Sequence, residues 1–172
     1  GRAGSLATRQ ELLRRGHEQM PSTGAETVTV PGALRGWDML LDHYGTISLD
    51  EALQPAIEIA DRGFPVSPKL TEIWWQGMEN LLAIDEGARS TFLFDGKRTP
   101  KAGEWIRNPD LARTLRLIAS EGVDEFYNGE IARLIVDRLA QAIVPLAPLD
   151  RCSRHQLDIG FVRIVRAPNG FG

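Results

Sequence analysis

Apolar residues recur at helical spacing through most of this chain, and polar, glycine and proline residues punctuate them. Thr8 and Glu11 stand at capping-box spacing ahead of Leu12 and Leu13, which predicts a short helix ending near Gly16. Val28 and Val30 alternate with threonines and then meet Pro31-Gly32, so a short strand is expected to turn there into the next helix. That helix places Leu34, Trp37, Leu40, Leu41 and Tyr44 on one face and stops at Gly45. Ser48 and Glu51 form a second capping box, after which Leu53, Ile57 and Ala60 follow at helical spacing until Gly63 supplies a left-handed end.

Ser67-Pro68 reads as an N-cap followed by a first-turn proline, opening a helix with Leu70, Ile73, Trp74, Gly77, Met78 and Leu81. Phe92 and Phe94 predict a brief extended segment before the Asp95-Gly96 turn. Asn108-Pro109 repeats the cap-plus-proline signature, and Leu111, Leu115 and Ile118 make an apolar stripe ending at Gly122. A further helix is expected from about Asn128 to Ala142, with Ile131, Leu134, Ile135 and Leu139 turned inward. Phe161 to Val165 reads as a short strand that breaks at Pro168-Asn169-Gly170. The expected architecture is mainly α with a few β-strands, and a lone strand at each end needs partners from elsewhere to satisfy its backbone groups.

Composition adds bounds to this picture. The chain has 172 residues, 42% hydrophobic and 25% charged, the mix of a single globular domain rather than a disordered segment. No apolar run approaches the length of a membrane span. Basic and acidic residues nearly balance at a formal net charge of -3, which argues against a nucleic-acid partner. Cys152 is the only cysteine, so neither an internal disulfide nor a multi-cysteine zinc site is expected. Residues 1–15 hold no apolar h-region of a signal peptide, and the chain starts at Gly1 rather than methionine.

Candidate chemistry is sparse. His17, His43 and His155 lie far apart, with no metal-binding helical spacing between them. Cys152 and His155, with Asp150 and Asp158 nearby, form the one loop where a thiol or metal site could be assembled, although a polar surface connection explains them as well. Asp85-Glu86 and Asp124-Glu125 are paired carboxylates, but neighbours on a helix point about 100 degrees apart, and helix starts are the simpler place for them. Trp74, Trp75 and Trp105 suit a core or subunit contact better than a ligand pocket. Gly170-Phe171-Gly172 lacks the lysine and the following helix of a phosphate loop. On these grounds no catalytic, substrate-binding or metal residue is assigned, and no cofactor is expected.

The string Val30-Pro31-Gly32-Ala33-Leu34-Arg35-Gly36-Trp37, followed by Tyr44-Gly45 and Leu53-Gln54-Pro55-Ala56, resembles the large subunit of the γ-glutamyltransferase (glutathione hydrolase) family. Ala60-Asp61-Arg62-Gly63-Phe64 and Leu111-Ala112-Arg113-Thr114-Leu115 through Ile118-Ala119 to Gly122 continue the likeness in order. Asp124-Glu125-Phe126-Tyr127-Asn128-Gly129-Glu130-Ile131-Ala132 is its most specific part, similar to the family's Asp-Glu-Phe-Tyr-x-Gly signature, and Phe161 to Gly172 resembles the strand entering the family's Pro-Pro-Asn-x-x-Gly turn.

The resemblance implies an N-terminal nucleophile hydrolase of αββα architecture, of which residues 1–172 would be a single partial domain: helical layer plus edge strands. It implies a precursor that cuts itself before a threonine, which then attacks a γ-glutamyl amide such as that of glutathione and passes the acyl group to water or an amine. That threonine would belong to the small-subunit segment, a missing partner, and this chain alone would be inactive. Thr8 and Thr46 stand in cap and turn contexts rather than at a cleavage site. Gly1-Arg2-Ala3-Gly4 overlaps the family's Arg-Glu-x-Ala-Pro motif, but its substrate-binding arginine would fall one position before Gly1, so Arg2 does not inherit the role. A periplasmic or secreted location is a family-level expectation. A related amide acylase and a non-catalytic helical interaction module are the alternative readings.

Overall fold

The computed structural model describes residues 8–21, 24–75, 78–83 and 85–143, with all side chains there except those at 73–75, 80, 81, 142 and 143. The Phe161 to Val165 strand, the Cys152 and His155 loop and Arg2 lie outside the described residues. Helix dominates, with one two-stranded sheet among the described residues. Contacts gather into two compact units: one takes the described residues up to Leu49 and from Glu121 onward, the other is Asp50–Ser120.

In the first unit, α1 spans Arg9–Arg14 and begins as its capping box requires, with the Glu11 amide donating to Thr8 Oγ1 at 3.2 Å. Glu11 does not complete the box; its carboxylate takes Arg14 and Arg15 instead. The expected strand at Val28–Val30 does not form. A 3₁₀ turn occupies Ala25–Thr27, and Val30 is in a bridge rather than in a strand. Helix α2 spans Ala33–Tyr44 and ends at Gly45, as predicted. Its apolar face is not a core stripe in this structure: Leu34 alone is buried, and Tyr44 is 82% exposed. Helix α8, Glu130–Ile143, is the helix expected from about Asn128 to Ala142, and a separate short helix that was not expected, α7, Val123–Asn128, precedes it. Ile131, Ala132 and Val136 are the buried positions of α8, whereas Leu134 faces outward.

The second unit holds α3, Leu49–Arg62, whose buried residues are Leu53, Ile57 and Ala60. Pro55 sits inside this helix, where its missing N–H and its ring cost about 3 kcal/mol. Burial of the three apolar residues offsets that loss. Ser67 caps the next helix, accepting from the Leu70 amide at 3.1 Å, but the chain widens into a π-helical stretch at Leu70–Trp75. Rather than running on to Leu81 in one piece, helix resumes as α4, Glu79–Leu82. Asp85 then caps α5, Glu86–Phe92, which places Phe92 in a helix and not in the extended segment expected for it. Phe94 does pair with Arg98 around the Asp95-Gly96 turn. Asn108 Oδ1 accepts from the Leu111 amide at 3.0 Å and starts α6, Pro109–Glu121, whose buried residues are Ala112 and Ile118 rather than Leu111.

Two close approaches hold the middle of this unit. Strands β1, Phe64–Pro65, and β2, Trp105–Ile106, pair antiparallel, and the ladder continues through Val66 N–H to Glu104 O at 2.9 Å. Gly63 leaves α3 with φ +90°, and a β-carbon there would lie 2.7 Å from Ile106 O. The Arg98 guanidinium grips Glu104 through two bonds of 2.8 and 2.9 Å, while the Lys101 amide adds a third at 2.8 Å. Together these contacts, the Arg98 hydrogen bond foremost, hold the Glu104 carboxyl at about 2, below an ordinary 4.5.

Replacing Gly63 by Ala is expected to cost about 1–3 kcal/mol, from left-handed strain together with the clash on a backbone oxygen, read by urea unfolding. A carboxyl whose folded pKa is depressed contributes stability above its unfolded value, and that contribution fades as pH falls through the folded one. The melting temperatures of wild type and Glu104→Gln should therefore differ most above pH 4.5 and converge towards about pH 2.

Candidate functional site

Two of the stretches that carry the resemblance, Val30–Trp37 and Asp124–Gly129, meet in the first unit. Gly32 occupies the N-cap of α2 and has no side chain with which to satisfy the first amides of the helix. The buried Tyr127 hydroxyl, from the far end of the chain, takes over that task. It accepts from the Arg35 amide at 3.1 Å, as a serine or threonine cap would. The same hydroxyl donates to the Pro31 carbonyl at 2.7 Å, so one oxygen holds both sides of the turn into α2.

Charge reinforces this clamp. Arg35 reaches Asp124 at 2.6 Å and Asp38 at 3.4 Å, and its guanidinium carbon lies 5.1 Å from the centre of the Tyr127 ring. The Asp124 hydrogen bond is the main reason that Arg35 holds its proton above the ordinary arginine range. Phe126 packs edge-on against Tyr127 with ring centres 5.0 Å apart. Glu125 turns the other way, and its Oε1 accepts from the Glu130 amide at 2.6 Å at the start of α8. A β-carbon at Gly129 would meet that carboxylate and push it from its place.

The remaining candidates are placed as follows. His17 Nε2 lies 2.6 Å from Glu26, which also receives Arg15 at 3.3 Å. His43 bonds the Met39 carbonyl at 2.9 Å, and the two histidines are not brought together. Asp85 and Asp124-Glu125 stand at helix starts, as their spacing suggested, rather than as acid-base pairs. Trp105 is exposed on β2. Among the described residues, no group of three or more histidine, cysteine or acidic side chains is arranged to hold a metal ion. No helix among them is long and apolar enough to cross a membrane.

One open depression of about 240 Å³ lies in the second unit, lined by Asp50, Gln54, Ile57, Arg116, Ala119 and Ser120. Its cation is committed to Asp61 at 2.7 Å, and Ser120 donates to the Leu117 carbonyl. Sequence reasoning did not foresee the capping role of Tyr127. The available signal was an N-cap glycine, which leaves a helix start in need of a distant acceptor.

Residues 1–147 match the family described as Gamma-glutamyltranspeptidase. The chain belongs to the gamma-glutamyltranspeptidase family. It is 42% identical over 117 residues, 68% of its length, to the Acylase ACY 1 proenzyme of Pseudomonas sp. (strain SE83), covering 21% of that protein. It is 37% identical over 140 residues, 81% of its length, to the Glutathione hydrolase-like YwrD proenzyme of Bacillus subtilis (strain 168), covering 26% of it. The crystal structure of cephalosporin acylase from Bacillus halodurans superposes with a TM-score of 0.75 at 32% identity, over 92% of this chain and 29% of that one. Its fold is thus a mainly helical part of the N-terminal nucleophile hydrolase fold of this family. The chain spans about a quarter of the length of these relatives.

Removing the Tyr127 hydroxyl by Tyr127→Phe should leave a half-buried helix start without its acceptor. A loss of about 1–3 kcal/mol in urea unfolding is expected, with faster amide exchange at Arg35.

Proposed function

We propose that residues 1–172 are scaffold from the large subunit of an N-terminal nucleophile hydrolase that cleaves or transfers γ-glutamyl amides, glutathione among them. They form part of one domain of a longer precursor, and the attacking threonine comes from the partner segment cut from that precursor. The observation that carries this reading is the Tyr127 clamp. The most specific family residues serve to cap α2, to cap α8 and to pair Arg35 with Asp124, leaving bond-breaking to groups elsewhere. The proenzyme names of the relatives, and the quarter of their length that this chain spans, agree with it.

A second reading keeps the scaffold role and changes the substrate to the dicarboxylic side-chain amide of a β-lactam. It is favoured by the 42% identity to an acylase proenzyme and by the cephalosporin acylase superposition.

The isolated chain should release no aniline from a chromogenic γ-glutamyl anilide, whereas the longer precursor should cut itself and turn the substrate over. Turnover by the isolated chain would sink the scaffold assignment. A precursor that cleaves a glutaryl anilide and ignores the γ-glutamyl one would select the acylase reading.

A further inference from the structure

We propose that Asn128–Gly129, at the junction of α7 and α8, is a site of spontaneous deamidation whose rate is set by the Glu125 cap. Four asparagines stand in this chain, and among the described residues only Asn128 is followed by glycine. Glycine matters because its bare α-carbon lets the backbone nitrogen swing towards the preceding side chain. In the reaction, the Gly129 nitrogen loses its proton and bonds to Asn128 Cγ. The Cγ–Nδ2 bond breaks, and ammonia leaves behind a cyclic imide. Water then opens the imide at either carbonyl, giving aspartate or isoaspartate. No oxidant, metal or enzyme is required.

The structure both exposes this pair and restrains it. Asn128 is exposed at the last position of α7, a helix of six residues. So short a helix is marginal without its neighbours, and its final turn opens readily. In the closed state the Gly129 amide donates to the Glu125 carbonyl at 3.0 Å, which withholds the attacking nitrogen. The Glu125 carboxylate simultaneously receives the Glu130 amide at 2.6 Å and ties the next residue down. One residue therefore holds the junction through its main chain and its side chain, and the reaction must pass through an opening that breaks both bonds.

The product would disturb more than one amide. A new carboxylate at the C-terminal end of α7 opposes the helix dipole and joins Glu125 and Glu130 nearby. Isoaspartate also lengthens the backbone next to Tyr127, the residue that caps α2.

The test is to incubate the full chain at mildly alkaline pH and digest it with trypsin. The peptide Leu117–Arg133, whose only asparagine is Asn128, is then followed by mass spectrometry and by isoaspartate detection. A synthetic peptide of that sequence sets the unrestrained rate. Conversion is expected to be fastest in the free peptide, several-fold slower in Glu125→Ala, and slowest, though measurable, in wild type. Glu125→Gln retains an acceptor and should stay close to wild type, and Asn128→Gln should remain unconverted. Wild type as fast as the free peptide would overturn the proposal, as would complete resistance of wild type or equal rates in Glu125→Ala and wild type. If Glu125→Ala loses its helical circular dichroism, the ratio of wild type to free peptide alone decides.

Discussion

A single phenolic oxygen closes the start of α2. Tyr127 Oη donates to the Pro31 carbonyl and accepts the Arg35 amide, joining residues more than ninety positions apart. Much of the first unit follows from this bond. Helix α2 buries only Leu34, so hydrophobic contact does little to hold it, and its N-cap glycine offers no side-chain acceptor. The hydroxyl supplies that acceptor, and it can do so only while α7, which packs on α8, is folded.

The signature Asp124-Glu125-Phe126-Tyr127-Asn128-Gly129 then has a physical reading residue by residue. Asp124 neutralises Arg35, Glu125 caps α8, and Phe126 supports the Tyr127 ring. Gly129 leaves room for the Glu125 carboxylate. The Arg35–Asp124 pair and the Glu125 cap are exposed to solvent, which screens them, so the part-buried Tyr127 hydroxyl is the stronger element of the clamp. A family motif of this kind marks where the fold must be held, and its presence shows family membership without locating the reacting groups.

Local signals in the sequence fared well where the chemistry is local. Thr8, Ser67 and Asn108 each cap the helix that their spacing announced, and Leu53, Ile57 and Ala60 form the buried face expected of α3. Periodicity was less reliable about which apolar residues are covered. Leu111 and Leu134 lie on amphipathic helices but face outward, while Ala112 and Ala132 are buried. The alternation at Val28–Val30 could not specify a strand, since the extent of pairing is decided by the partner and not by the segment itself.

By itself the sequence determined the mainly helical class, most helix starts and the family, because caps, glycine ends and ordered motifs act within a few residues of one another. Only the tertiary structure decided that Tyr127 caps α2 and that Arg35 pairs with Asp124. Each of those outcomes depends on groups brought together across the chain, and hydrogen bonding and charge at such distances in sequence leave no period or spacing to read.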